Sequence, residues 1–401
     1  MRFSQPLLSH RASGRRLLIL MLGMMGVASF LGSDVYLPAL PDIGIVMHHT
    51  THAMQFTLGI YLLGLSVGQV ILGPLSDAYG RRHVVLWSMV LFLLASLSCA
   101  VSVSYNQLLL SRLFQAFGAS AGLVLGRAII RDLYDEKEAG RVIATIFPFM
   151  GASPALSPLI GGFLSHYFGW RSTFLLVTLF ALAILVLVLC FFHESLNPSH
   201  RQSWSFRGIL NNYPKVILKK AFWFYAIAPC TSYLAFFAYM SETPFIFHHH
   251  GFTDKEIGFL YLNLSATYIV GNFVARHLLK KHKLVTLLRV GYCFFSVGAF
   301  MLFATSSVGF SVLAMMISTS LLTFGNGFLM PLGTTGAVSS VTQYVGYASG
   351  LLGFIQLGVA SLSSSVIGIV SYDSLFRMSL YILCVAVVGV LAHAMLSFKR
   401  S

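Results

Sequence analysis

Gly32-Ser33-Asp34-Val35-Tyr36-Leu37-Pro38 places a carboxylate inside an apolar run that extends from Leu17 to Leu40. About 20 apolar residues cross the hydrocarbon core of a bilayer as a helix, so the run reads as a membrane span. An ionised Asp at that depth is tolerated only when it is paired, protonated or facing water, which makes Asp34 a transport-site candidate.

The rest of the chain repeats the pattern. Of 401 residues, 57% are hydrophobic and only 9% charged, the composition of a polytopic membrane protein. The net charge of +14 does not imply nucleic acid, because Lys and Arg fall in short connections between apolar runs instead of forming one stripe. The five cysteines lie in apolar segments without paired spacing, so neither a disulfide framework nor a zinc site is expected. No phosphate-binding loop of the Gly-Lys-Ser type is present, and ATP is not the expected energy source.

Twelve windows are long enough to span. They run Leu17 to Leu40, Met54 to Leu75, Val84 to Val103, Leu108 to Ile130, Val142 to Leu164, Ser172 to Phe192, Ala221 to Phe245, Ile257 to Leu279, Leu284 to Ala304, Phe310 to Leu332, Tyr347 to Val370 and Leu375 to Leu396. The basic amino terminus (Arg2, Arg11, Arg15, Arg16) has no cleavage-site pattern, so the first span reads as retained.

Arg81 and Arg82, then Arg131, Lys137 and Arg141, then the cluster Arg201 to Lys220, then Arg276 to Lys283 all fall in even-numbered connections. The positive-inside rule then puts both termini in the cytoplasm. The connection Gly333 to Gly346 carries no Lys or Arg, so the rule is silent there. The longest connection divides the spans six and six: residues 1–193 form one bundle, 194–220 a cytoplasmic linker and 221–401 a second bundle. Within the linker, Trp204, Phe206 and Ile209 suit either a short helix on the inner membrane surface or a solvated tether.

The second connection reads Gly73-Pro74-Leu75-Ser76-Asp77-Ala78-Tyr79-Gly80-Arg81-Arg82. Glycines permit close helix approach, and Asp77 suits a cap for the next helix and a partner for a basic group across the bundle. The segment resembles the Gly-x-Leu-x-Asp-x-x-Gly-Arg-Arg signature of the major facilitator superfamily, with Ala78 where a basic residue is often found. Arg112-Leu113-Phe114-Gln115-Ala116 is similar to that superfamily's Arg-x-x-Gln-Gly motif. Pro154-Ala155-Leu156-Ser157-Pro158-Leu159-Ile160-Gly161-Gly162 resembles the Gly-Pro-x-x-Gly-Gly motif of its antiporters, with Ser157 replacing a Gly; proline and glycine there predict a bent, tightly packed helix, with or without an antiport role. With Asp34 to Pro41, Gly169-Trp170-Arg171 and Ser241-Glu242-Thr243-Pro244-Phe245, the chain resembles the bicyclomycin-resistance (Bcr/CflA) subfamily of drug and proton antiporters.

The resemblance implies an all-α fold of twelve transmembrane helices in two pseudo-symmetric six-helix bundles, and no enzyme activity. It implies a multidrug-type antiporter, read as a monomer in the lipid of a bacterial inner membrane, exporting small organic compounds against protons with no cofactor. The alternative is an importer or exporter of one metabolite, such as an amino acid or siderophore. At about 1.5 Å per residue Asp34 lies roughly 9 Å from Leu40 and Arg112 roughly 6 Å from Leu108, so the two are expected as partners. Asp34 is then the proton acceptor, with Arg112, Tyr36 and Gln115 beside it and Gly73, Asp77, Gly80, Arg81 and Arg82 as gate elements. Glu242 has two readings: a second carboxylate facing the cavity, or a solvated residue at the outer rim. His48, His49 and His52, and His248, His249 and His250, read as loop residues or a metal or acid sensor.

Overall fold

The computed structural model describes residues 12–201, 213–341, 345–371 and 374–398. Arg2, Arg11 and the Trp204, Phe206 and Ile209 cluster lie outside the described residues. Among those described, secondary structure is helical throughout, with no strand.

The first span is not one helix. It runs Ala12–Asp34, then a 3-10 turn Leu37–Ala39, then Leu40–Met47. Pro38 and Pro41 have no N–H to give to the preceding turn, so the α-helical ladder stops at Asp34 and resumes at Leu40. The span therefore ends at Met47 instead of Leu40, which leaves Asp34 deeper than a continuous helix ending at Leu40 would place it.

The other spans are Thr51–Tyr79, Arg81–Ala100, Tyr105–Leu133, Glu136–Phe168, Arg171–Phe191, Lys220–His249, Asp254–Leu278, Leu284–Ser306, Val312–Ser339, Val345–Ser371 and Leu375–Phe398. Among the described residues, eleven helices are long and apolar enough to cross a membrane. The remaining one, Glu136–Phe168, is 33 residues long and holds no Asp, Glu, Lys or Arg from Val142 onward. The tenth span reaches Ser339, seven residues past the expected Leu332, so the uncharged tenth-to-eleventh connection shrinks to a few residues. Backbone groups in lipid must be bonded within the helix, so caps collect at the ends: Thr50, Ser104, Asp135 and Ser311 each accept from the N–H three residues on, and Thr253 with Glu256 forms a capping box.

Packing repeats with a shift of six. The first span lies against the fourth, fifth and sixth, the second against the fourth, and the third against the fourth and sixth. The seventh lies against the tenth, eleventh and twelfth, the eighth against the tenth, and the ninth against the tenth and twelfth. The repeat extends to single residues: a Cβ on Gly118 would meet Phe92 N at 2.7 Å, and one on Gly325 would meet Phe295 N at 2.6 Å. Two seams join the halves, second span to eleventh and fifth to eighth. In the first, the Ser361 and Ser66 hydroxyls donate to Gly59 O at 2.7 Å and Phe354 O at 2.8 Å. Part of the linker is docked instead of solvated: Val216 is buried against Phe222, Ala337 and Ala348, and Tyr213 meets Tyr347 edge-on at 5.7 Å.

The broken first span is held by a glycine of the fifth. A Cβ on Gly161 would stand 1.6 Å from the Val35 carbonyl oxygen, and one on Gly162 would stand 2.3 Å from Asp254 O of the eighth span. These two glycines bring the fifth helix against its own half and the other half at once. Gly161→Ala is expected to lower the thermal midpoint of the purified protein, at a cost of about 1–3 kcal/mol. Gly151→Ala, where a new methyl meets nothing within 4 Å, should leave it unchanged. Fluorescence-monitored unfolding in detergent compares the two, and equal midpoints would contradict the Val35 contact.

Candidate functional site

The break in the first span creates an acceptor. The last carbonyls of an α-helix lack intrahelical partners and carry the negative end of its dipole. Val35 N bonds Leu31 O at 3.1 Å, and Gly32 O takes Nη1 of Arg112 at 2.7 Å. The same Nη1 donates to Gln115 Oε1 at 2.6 Å, one turn along the fourth span. Gln115 Nε2 in turn donates to Ser96 Oγ at 3.0 Å on the third span.

Aromatic rings close around this cation. Tyr36 and Tyr61 each lie with ring centroids 4.0 Å from the Arg112 guanidinium carbon, and Phe174 lies at 5.7 Å. A desolvated cation over an aromatic face gains about 2 kcal/mol, which helps explain a fully buried Arg in lipid. The rings are themselves held, Tyr36 Oη to Thr57 Oγ1 at 3.2 Å and Tyr61 Oη donating to Ser29 O at 2.9 Å.

Asp34 is buried and accepts from the Ser33 hydroxyl at 2.6 Å. Among the described residues it has no cation within 4.0 Å, so the expected Asp34–Arg112 pair is not a salt bridge. Arg112 acts on it through space only. The physical reason is that Arg112 is committed to the Gly32 carbonyl, Gln115 and two rings. The adjoining turn Leu37–Ala39 packs on the fifth, seventh and eighth spans. The carboxylate thus lies at the junction of the two halves.

Glu242 is not a solvated rim residue. It is fully buried, with one carboxylate oxygen accepting from Gln55 Nε2 of the second span and the other from the Ser371 hydroxyl of the eleventh. Ser364 adds a bond to Gln55 O at 3.2 Å. Glu242 therefore ties the halves together at the end remote from the basic connections, and it shares no hydrogen bond with Asp34.

At the basic end, Asp77 neither caps the third span nor pairs across the halves. It meets Arg81, one turn on, at 2.6 Å, and Arg81 Nε also binds Asp132 at 2.9 Å. The cap comes from Glu194, whose oxygens accept from Arg81 N at 2.9 Å and Arg82 N at 3.2 Å. Arg82 Nη2 donates to Leu189 O at 3.4 Å, Gly80 takes φ 95° beside Glu194, and Gly73 faces Val124. In the fifth span, Ser157 bonds Ser153 at 3.1 Å, Pro158 backs onto Gly258 of the eighth, and Pro154 lies within the same continuous helix. Among the histidines, His49 packs on Tyr105, His249 meets His250 edge-on at 5.5 Å, His250 stacks on Phe310 at 3.6 Å, and His248 stands 3.6 Å from Asp42. Asp132, Glu194, Gln55 and Arg127 were missed from the sequence. Glu194 hid among the many charges of the linker, and Arg127 lay inside an apolar window, where the rarity of charge was its one signal.

Two six-helix halves with charged and aromatic side chains buried at their junction define a membrane transporter and not an enzyme. The chain belongs to the Major Facilitator Superfamily, whose family model matches residues 22–364. It is 28% identical to the uncharacterized MFS-type transporter YdgK of Bacillus subtilis over 98% of both chains. It is 23% identical to a bicyclomycin resistance protein homolog of Haemophilus influenzae, covering 95% of this chain and 96% of that one. A chloramphenicol resistance protein of Pseudomonas aeruginosa is 29% identical over 92% of this chain and 88% of its own. The fold matches that of a D-xylose-proton symporter with a TM-score of 0.77 at 16% identity, over 95% of this chain and 97% of the other.

Two tests follow from the geometry. Glu194→Ala removes the acceptor for two N–H groups and is expected to cost about 1 kcal/mol in the detergent unfolding midpoint; an unchanged midpoint would deny it the cap. Glu242→Gln sets an amide opposite Gln55 and Ser371, weakening a contact between the halves. Cysteines placed along the Gln55–Ser364 seam should then label faster from the face remote from the basic connections, and an unchanged rate would show that Glu242 does not hold that seam.

Proposed function

We propose that the protein exports small organic compounds from the cytoplasm in exchange for protons, by alternating access between its two halves. The observation that carries this reading is Asp34: a buried carboxylate at a break in the first span, without a salt bridge among the described residues, where the two halves meet. A carboxylate there costs little to carry when neutral and much when charged, so it binds and releases a proton as the site changes its access to water. Arg112 modulates it through space, with Tyr36 and Gln115 holding Arg112 in place. A bicyclomycin resistance protein homolog and a chloramphenicol resistance protein among the relatives support export over uptake.

The basic face is taken as cytoplasmic, which puts both termini there, in a bacterial inner membrane and as a monomer. Arg81, Arg82 and Asp77, with Gly73 and Gly80, form the gate on that face. The Pro154 to Gly162 segment favours exchange by packing on both halves.

Asp34→Asn decides the reading. In proteoliposomes loaded with chloramphenicol, wild-type efflux should rise on imposing a pH gradient, and the variant should lose that acceleration while still inserting and folding. Gradient-driven efflux by the variant at the wild-type rate would remove Asp34 from coupling.

A further inference from the structure

Arg127 stands in the apolar fourth span, two turns from its end at Leu133, and its side chain is exposed. It does not face lipid: Nη1 donates to Ser349 Oγ at 3.1 Å on the eleventh span, in the other half, while Nε donates to Leu123 O at 3.1 Å on its own helix. Among the described residues no carboxylate lies within 4.0 Å of it. Arg131, a second cation, stands one turn further along the same helix.

An Arg in this setting differs from Arg112. Arg112 is enclosed by rings and held by a helix end, whereas Arg127 keeps guanidinium donors beyond its two hydrogen bonds and presents them to open space. A cation without an anionic partner in a low-dielectric cleft concentrates anions, and the guanidinium fork matches carboxylate and phosphate oxygens two at a time. A purely structural latch to Ser349 would use one donor and would need no charge.

Resting on the reading of this junction as the transport path, we propose that Arg127 is the anion-recognising residue of the cavity. The compounds carried then include ones with a carboxylate, phosphate or sulfonate group bound at Arg127 and Ser349, between the fourth and eleventh spans.

Binding to purified full-length protein in detergent tests this without any gradient, so failure of proton coupling and failure of this inference are separate results. The probes are naphthoate, naphthyl phosphate, naphthamide and naphthyl trimethylammonium, which share one ring system and differ in charge. In the wild type the two anions should raise the unfolding midpoint more than the amide or the cation does, and sodium chloride should reduce that advantage. Arg127→Gln should weaken naphthoate binding by roughly tenfold or more and abolish the preference for anions, whereas Arg127→Lys should keep that preference with weaker binding, since an ammonium supplies the charge without the fork. Equal stabilisation by naphthoate and naphthamide in the wild type would overturn the proposal, even if Arg127→Gln does not fold. An anion preference that survives Arg127→Gln would overturn it as well.

Discussion

The break in the first span is the constraint on which the rest of the site depends. Two prolines withhold N–H groups from the preceding turn, and the helix stops at Asp34 with carbonyls to satisfy. Lipid offers no hydrogen bonds, so the protein must supply them. Arg112 does so at Gly32, and burying that cation then requires Gln115 and the Tyr36 and Tyr61 rings around it. One local irregularity thus dictates a polar cluster drawn from several helices, and it leaves Asp34 beside a cation without being paired to it.

The halves are joined along two packed seams, second span to eleventh and fifth to eighth. On the fifth-to-eighth seam the approach is backbone to backbone, with Gly162 on Asp254 and Gly258 on Pro158. On the second-to-eleventh seam it is polar, with Glu242, Gln55, Ser364 and Ser371 interlocked. Packed seams of this kind give discrete alternatives instead of continuous deformation, because dense interfaces do not stretch. At the opposite end, Arg81 gathers Asp77 and Asp132 of the first half while Glu194, at the start of the linker, binds the N–H groups of Arg81 and Arg82.

Charge inside the bundle is therefore divided by position. Arg112 is structural in its bonding and electrostatic in its reach, Glu242 binds half to half, and Arg127 offers donors to the space between. Treating all intramembrane charges as ligand-binding groups would have merged three separate tasks.

The sequence by itself determined the class and much of the framework. Apolar runs of spanning length show in composition alone, because the bilayer demands them whatever the fold, and the distribution of Lys and Arg follows the same one-dimensional logic. The motifs around Asp77, Arg112 and Gly161 were legible for the same reason: Gly, Pro and charged residues are conspicuous where apolar side chains are the rule. What only the tertiary structure decided is which groups meet. Asp34 and Arg112 looked like partners from depth, yet the Gly32 carbonyl near the end of the helix takes the guanidinium. Glu242 could not be assigned to rim or cavity until Gln55 and Ser371, 187 and 129 residues away, were seen to bind it. Hydrogen bonds between helices depend on rotation about each axis and on which spans lie side by side, and neither is written in the local pattern of a single span.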